Sequence, residues 1–307
     1  MTGIFGLVLT LLLHPPREAE MSERMAPPGW QGNFWGPEAT KARHEGMMPP
    51  IVATPHMARW DQWGRKVLRD GDIIFRLGDA RLARGYFPIS RFLASASNSK
   101  FSHTGVVAIE EEGPVVYDTT RTGVARQPFC VWILDNIGSI GVKRLRPDYR
   151  EAIPKVLAYC RKVFNEQVPF DYDLEPDDQK LYCVEMTEKS FRAAGIELSQ
   201  PIHLGDMERA SEFPLQMFGL RFASKYVSDH PVTFDSLVYF PGNERHGIWS
   251  ARQLMTVVPP TFAPGYPDQS ESAANSRVMQ TPAQAGAQKV SAPAGAQPAA
   301  DTQPGRT

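Results

Sequence analysis

The sequence has few cysteines and no excess of charge of either sign. Three cysteines among 307 residues are too few for a disulfide scaffold, and the odd number leaves at least one thiol free. Lys and Arg number 33 and Asp and Glu 34, which gives a formal net charge of −1. No basic field therefore indicates a nucleic-acid partner. Because no Cys or His spacing is typical of a zinc site, we also expect no bound metal.

Apolar runs are short. Residues 4–13 form an apolar run of about ten residues, half of the roughly 20 that a membrane-spanning helix needs. The run resembles the core of a signal peptide, but no Lys or Arg precedes it and no small-residue cleavage site follows it. It is either a weak export signal or membrane anchor, or a disordered or untranslated leader. Whether the protein is cytoplasmic or exported depends on which of these interpretations is correct. Membrane association through this segment depends on the same choice.

Composition divides the chain into three parts. Residues 1–58 are predicted to be a leader, with an irregular lead-in rich in Pro, Gly and Met from residue 14. Residues 259–307 are rich in Ala, Pro and Gln, and they cannot bury enough apolar surface to offset the entropy of ordering, so we predict a disordered tail. The remaining residues, 59–258, are predicted to form one globular domain.

The first half of this domain has the pattern of strands. Four runs are rich in β-branched residues and bounded by turn residues, at 72–77, 103–110, 114–119 and 140–145. A charged turn around residues 111–113 favours a hairpin between the second and third runs.

The second half has the pattern of helices. Apolar residues recur with a period of 3.6 over residues 149–165. A second helix is predicted over 181–194, ending at Gly195, because glycine is typical of the position after a helix. Strands followed by helices favour an α+β domain with an antiparallel sheet packed against helices.

The three cysteines lie in different surroundings. Cys160 falls on the apolar face of the first helix and Cys130 in an apolar run, so both are predicted to be core residues. Cys183 falls at the start of the second helix. A helix N-terminus lowers the pKa of a thiol, and its free N–H groups can hold an oxyanion. Cys183 is therefore either a nucleophile or a third core cysteine.

A cysteine nucleophile needs a base, and histidine suits that task at neutral pH. Of seven histidines, only His103 begins a clear strand; its alternative role is structural. Asp118 is the one charged residue of the next predicted strand, and a hairpin centred between residues 110 and 111 would place it directly opposite His103. There it either orients the imidazole or serves as a turn residue that caps the following threonines.

Four short motifs follow one another along the chain. They are GDIIFR at 71–76, SHTGVV at 102–107, VYD at 116–118, and FDY at 170–172 leading to LYCVE at 181–185. This order resembles the permuted papain-like cysteine hydrolases of the YiiX/YebB type, relatives of the NlpC/P60 peptidases. In that group the histidine strand precedes the cysteine helix. The resemblance covers roughly residues 68–200.

The resemblance implies a circularly permuted papain-like (NlpC/P60) fold that needs no cofactor. It implies that Cys183 is the nucleophile, His103 the base and Asp118 the orienting group, and that an amide or ester is cleaved through an acyl-enzyme. The substrate, a small molecule, peptide or lipid, is not fixed. Two positions depart from the family, which often has Glu in place of Asp118 and Ser in place of Val184. Tyr182 either lines the oxyanion site or packs at the helix start.

Two other functions stay open. An acyltransferase would use the same three residues to pass an acyl group from a lipid-like donor to an amine or alcohol. The side chains that would line its apolar pocket are Phe213, Met217, Phe218, Phe222 and Tyr226. The alternative is that these residues simply pack in the hydrophobic core. A catalytically inactive domain would only bind a partner, although the intact Cys, His and Asp set argues against it.

Overall fold

The computed structural model describes residues 37–48, 53–82, 86–174, 177, 179–224, 230 and 232–260. The apolar segment at 4–13 and the predicted tail from residue 261 onward lie outside the described residues. Within the described ranges, no helix combines the length and the apolar character needed to cross a membrane.

Seven α-helices lie in the described ranges. They are α1 (Pro37–His44), α2 (Pro55–Val67), α3 (Ile89–Ala96), α4 (Phe129–Trp132), α5 (Ile153–Asn165), α6 (Cys183–Arg192) and α7 (Pro214–Ser224). The two predicted helices correspond to α5 and α6. The first turn predicted for α5 is instead a 3-10 helix, Pro147–Ala152, and α6 begins two residues later than predicted. Gly195 has a φ of +81°, the left-handed conformation expected after a helix.

The lead-in is more ordered than its composition predicts. Helix α1 and the start of α2 lie within residues 14–58, which the sequence analysis treats as irregular. The cause at α2 is local. Thr54 accepts a hydrogen bond from the Met57 N–H (3.2 Å), and Pro55 occupies the first helical position, where its missing N–H costs nothing. Trp60 lies on the inner face of this helix and is buried.

The sheet is antiparallel, as predicted. Six strands pair in the order β4-β3-β2-β1-β5-β8, namely β1 (Ile73–Arg76), β2 (His103–Glu110), β3 (Gly113–Thr120), β4 (Gly123–Pro128), β5 (Ile140–Leu145) and β8 (Leu254–Val258). A separate two-residue ladder joins β6 (Ile202–His203) to β7 (Leu237–Val238). The edge strands β4 and β8 were not predicted.

The register of the β2–β3 hairpin differs from the prediction by two residues. Val106 lies opposite Tyr117, so residue 118 falls across from residue 105 rather than from 103. The cause is the turn, which is centred one residue later because Gly113, with a φ of +123°, closes it. Since the shift is two residues, each side chain keeps its predicted face of the sheet.

Both faces of the six-stranded sheet are covered by helices. One face carries Val106 and Tyr117 and packs against α5 and α6, and the other carries Val107 and Val116 and packs against α2 and α4. A third apolar cluster joins α3 to α7 through residues such as Phe92. The sheet thus places α4 and α6 on opposite faces of the same hairpin.

Candidate active site

The structure brings Cys183, His103 and Asp118 together at one end of the sheet. His103 is the first residue of β2, and Asp118 lies near the end of β3, the antiparallel neighbour. Cys183 is the first residue of α6, which packs against both strands. Strand alternation puts His103 and Asp118 on the face that packs against α4, and Cys183 reaches the imidazole at the strand end.

His103 and Asp118 are directly bonded. The distance from His103 Nε2 to Asp118 Oδ2 is 2.8 Å, and only 1% of the aspartate side chain is exposed. The observed register makes the two residues diagonal neighbours, within reach of their side chains. Gly105 allows this approach, because a Cβ at that position would lie 2.4 Å from Val116 Cγ1 and 3.4 Å from Asp118 Cβ.

His103 also interacts with Cys183. The imidazole whose Nε2 bonds Asp118 is linked to the thiol by charge and by a hydrogen bond. Burial alone lowers the pKa of His103, but the charge of Cys183 and the bonds to Asp118 and Cys183 outweigh it and raise that pKa to about 9. Asp118 thereby holds a protonated imidazole in a fixed orientation.

The Cys183 thiol has a lowered pKa. Burial alone raises it, but the charge and hydrogen bond of His103 dominate, and the backbone N–H of Thr104 adds a further hydrogen bond to sulfur. The side chain remains partly exposed. These contacts favour a thiolate–imidazolium pair that a ligand can reach.

Two threonines fasten α6 to β2. The hydroxyl of Thr187 donates to the carbonyl of Cys183 at 3.0 Å, and it lies 2.9 Å from the hydroxyl of Thr104. Both side chains are fully buried. This bond pair fixes the first turn of α6 against the strand that carries His103, and sequence analysis did not single it out.

A tryptophan and an arginine support Asp118 and His103. Trp132, at the end of α4 and fully buried, donates from Nε1 to Asp118 Oδ2 at 2.6 Å, and its ring lies 5.8 Å from the His103 ring. The Arg76 guanidinium lies 4.1 Å from the centre of the Trp132 ring and donates to its carbonyl. Sequence analysis missed both residues, since Trp132 stands in a plain apolar run.

Acidic side chains stabilise the chain just before Cys183. Glu185 is buried, caps the N–H of Tyr182 at 3.5 Å and pairs with Lys189 at 3.0 Å. Burial raises its pKa to about 7, and burial likewise raises the pKa of Asp171 to about 6. The capping contact fixes the start of α6.

Tyr182 does not have its hydroxyl available for an oxyanion. The hydroxyl accepts from the Tyr239 N–H at 2.5 Å and donates to the Tyr239 carbonyl at 3.3 Å. The side chain is buried in the core beside α6. The structure therefore assigns this side chain the packing role that the sequence left as its alternative.

The other two cysteines differ from Cys183. Cys160 is fully buried, as predicted, and burial raises its pKa to about 12. Cys130 was predicted to be core as well, but it is only half-buried, on α4 at the margin of the core. The reason is that this short helix buries Phe129 and Trp132, and Cys130 therefore lies partly on its exposed side. Burial raises the Cys130 pKa too.

The aromatic residues proposed for an acyl pocket do not share one environment. Phe213 is partly buried and lines a cavity, Met217 belongs to the third core cluster, and Phe218 and Phe222 are exposed on α7. Tyr226 lies outside the described residues. The four of these side chains that the structure describes are not assembled into one pocket.

Comparison with known families decides the relationship. Residues 67–260 match the family of permuted papain-like amidase enzymes described as YaeF/YiiX, C92. The chain belongs to this family. The resemblance inferred from the four motifs, and the permuted papain-like fold it implied, are thereby confirmed.

Two relatives from Escherichia coli are similar to this member of the C92 family. The uncharacterized protein YiiX of strain K12 is 23% identical over 188 residues, which cover 61% of this chain and 84% of the relative. A crystal structure of YiiX from O157:H7 superposes with a TM-score of 0.51 at 22% identity and covers 64% of this chain and 99% of that one. That likeness supports the fold alone.

The YiiX protein from O157:H7 is described as a metalloprotein. In the part of the present chain that the structure describes, no three His, Cys, Asp or Glu side chains are grouped so that they could hold a metal ion. The groups around Cys183 are one thiol, one imidazole and one carboxylate, and the imidazole interacts with both of the others. This set fits acid–base chemistry.

Proposed function

We propose that this C92 family member is a cysteine hydrolase that cleaves an amide or ester bond through an acyl-enzyme on Cys183. One observation carries the proposal: His103 Nε2 lies 2.8 Å from Asp118 Oδ2, and the interaction of this imidazole with Cys183, at the start of a helix, raises the pKa of His103 and lowers that of Cys183. A nucleophile, a base and an orienting group in that order are the minimal set for acyl transfer through a thiol.

Acylation follows from the protonation states of the resting site. The Cys183 thiolate attacks the carbonyl carbon of the substrate, forming a C–S bond, and the carbonyl oxygen takes the negative charge. The N–H groups in the first turn of α6 lack intrahelical partners, and we expect them to stabilise that oxyanion. The intermediate then expels the amine or alcohol, which takes its proton from the His103 imidazolium.

Deacylation reverses the role of the imidazole. Neutral His103 accepts a proton from water, and the resulting hydroxide attacks the thioester carbon. The C–O bond forms, the C–S bond breaks, and the carboxylic acid leaves. The Cys183 thiolate and the His103 imidazolium are restored, and Asp118 stabilises the imidazolium in both halves of the cycle.

Acylation can be tested directly with an activated ester. Treating the chain with p-nitrophenyl acetate is expected to release a burst of p-nitrophenol and to add one acetyl group to the peptide that contains Cys183. Cys130→Ala should behave like wild type, since the charged neighbours of Cys130 on α4 are Asp61 and Arg65 of α2 and not the residues of the site. An ester that is turned over with the acetyl group on a different residue would contradict the proposal. Preferential transfer to an added amine would instead assign a transferase.

Trp132 is expected to act as a positioning residue through Asp118. Trp132→Phe keeps an aromatic ring in the core but removes the donor to Asp118, so kcat/KM on the ester should fall about tenfold. The Asp118 carboxylate would carry more uncompensated charge and hold the imidazolium more tightly. The alkaline limb of the pH–rate profile should therefore move upward.

Trp249→Phe provides a matched control for this change. Trp249 is also almost fully buried, and its indole donates to a carboxylate, Glu244, at 2.8 Å. Both variants should lose comparable thermal stability, but only Trp132→Phe should shift the pH profile. Equal loss of activity in both, with neither profile shifted, would reduce Trp132 to a packing residue.

A further inference from the structure

Arg76 is a buried cation beside the candidate active site, and the steps proposed above give it no role. It is the last residue of β1, and it pairs directly with His103, the first residue of β2, in the antiparallel register. Ile74, two positions earlier on β1, belongs to the cluster between the sheet and α4. Because side chains alternate along a strand, Arg76 lies on the same face of the sheet as His103 and Asp118.

The Arg76 guanidinium is fixed against α4. It lies 4.1 Å from the centre of the Trp132 ring, and its Nη1 donates to the Trp132 carbonyl. The same indole ring lies 5.8 Å from the His103 ring, so the guanidinium and the imidazole are held beside one aromatic side chain. Stacking on an aromatic face and a hydrogen bond together leave the guanidinium little freedom to turn away from the site.

A partly exposed carboxylate balances the charge of Arg76. Only 7% of Arg76 is exposed. Its ion-pair partner is Asp135, just after α4, at a distance of 3.5 Å, and 37% of that side chain faces solvent. Arg76 Nε is buried and has no hydrogen-bond partner within the described ranges. Positive charge therefore stays close to His103 in a region where salt screens it little.

The guanidinium opposes the charged form of His103. Like charges that lie directly opposite each other on two antiparallel strands repel. Burial and the charge of Arg76 both lower the pKa of His103, whereas Cys183 and Asp118 raise it. The charged form of the imidazole is therefore held by two anionic partners against one cation.

Formation of the acyl-enzyme changes this balance. A thioester carries no charge, so the imidazolium loses the attraction of the Cys183 thiolate once the C–S bond has formed. Asp118 still favours the imidazolium, and Arg76 and burial still oppose it. The proton then passes to the leaving group, and the neutral imidazole is the form that accepts a proton from water in deacylation.

We propose that Arg76 is a positioning residue that acts through His103, and that its charge drives the imidazolium to release its proton once the acyl-enzyme has formed. The role in deacylation rests on the proposed hydrolase. The effect on His103 itself does not, because the titration of that imidazole can be measured without turnover.

NMR titration of the His103 ring tests the effect of the charge. Every protein in this experiment carries Cys183→Ala, which removes the thiolate and so reproduces the charge of the acyl-enzyme. Arg76→Gln is expected to raise the pH midpoint of His103, because the repulsion disappears while the amide can still donate to the Trp132 carbonyl. Arg76→Lys retains the charge and should keep the midpoint of Cys183→Ala alone. The ring signal is assigned by its absence in His103→Ala.

Arg144→Met is the matched control. Arg144 Nε lies 2.7 Å from Asp72 Oδ1, which is buried beside the other end of β1. Removing this cation should lower the thermal unfolding midpoint without moving the titration of His103. If Arg76→Gln does not fold, Arg76→Met repeats the test, because it keeps a long side chain beside Trp132 and removes the charge.

Ester kinetics with Cys183 intact test the consequence for turnover. Arg76→Gln should slow deacylation near pH 7 about tenfold and move its pH midpoint upward, so that a larger fraction of Cys183 is acetylated during turnover. Arg76→Lys should behave like wild type.

The two experiments separate the proposal from the hydrolase. An unchanged His103 midpoint in Arg76→Gln, or equal shifts in Arg76→Gln and Arg76→Lys, would overturn the role of Arg76 and leave the hydrolase standing. If no acetyl group appears on Cys183, the hydrolase and the role in deacylation both fall. The NMR titration would still decide whether the charge of Arg76 acts on His103.

Discussion

Cys183→Ala is expected to lower ester turnover by about four orders of magnitude or more, because no other group in the site can form the acyl-enzyme. The fold should persist. The side chain is partly exposed, and α6 remains fastened through the Cys183 carbonyl, which alanine retains. Steady-state kinetics and a thermal melt on the same preparation measure both expectations.

Cys130→Ala is the control for this experiment. It removes a second half-buried thiol but should leave turnover unchanged, since Cys130 lies on α4 with Asp61 and Arg65 of α2 as its charged neighbours. Turnover that survives in Cys183→Ala would rule out a thiol acyl-enzyme at this position. A collapse of the thermal midpoint would instead assign Cys183 a structural role.

The order of elements could be predicted from the sequence where the pattern was local. Strand β2 and helix α5 were recognisable because β-branched runs and a 3.6-residue period are visible within one segment. Strand β8 was not, because its partner β5 lies more than a hundred residues earlier in the chain. Pairing over that separation leaves no local signal.

The residues of the candidate site could be predicted from the sequence, but their geometry could not. His103 is the first residue of β2 and Cys183 the first residue of α6, and such starts of strands and helices can be recognised in a sequence. The diagonal placement of Asp118 depends on where the turn closes, and a shift of Gly113 by one position moves the register by two residues. The catalytic roles of Cys183, His103 and Asp118 stay predictions.

The supporting residues could not be read from composition. Trp132 occupies an apolar run that looks like core, and only the packing of α4 against the sheet turns its indole N–H toward Asp118. Arg76 reaches it from β1, in register with His103. Such contacts join segments that no spacing rule connects.

The reactivity of Cys183 is expected to depend on pH through its pairing with His103. His103 lowers the pKa of Cys183, so the thiolate should form below the ordinary thiol value of about 8.5. The pKa of His103 is raised to about 9. As pH rises through that value the imidazolium is lost, and with it the proton for the leaving group. Turnover of an amide or alkyl ester, whose leaving group needs that proton, should therefore fall there while alkylation of the thiolate continues.

His103→Ala should separate these two effects. Without the imidazolium, burial and the charge of Asp118 raise the pKa of Cys183, and only the Thr104 N–H still lowers it. The rate of alkylation near pH 6 should then fall, because the thiolate fraction decreases tenfold for each unit by which the thiol pKa rises. His203→Ala, at an exposed histidine elsewhere, should leave the rate unchanged.

The most direct measurement is the rate of iodoacetamide alkylation at Cys183 from pH 5 to 10, followed by peptide mass spectrometry in wild type and His103→Ala. If Cys183 and His103 form a coupled pair, the alkylation rate of wild type rises with a pH midpoint below the ordinary thiol pKa and does not fall above pH 9. In His103→Ala this midpoint moves to higher pH. Identical profiles for the two proteins, or equal labelling of Cys130 and Cys183 throughout, would contradict the thiolate–imidazolium pair on which the proposed function rests.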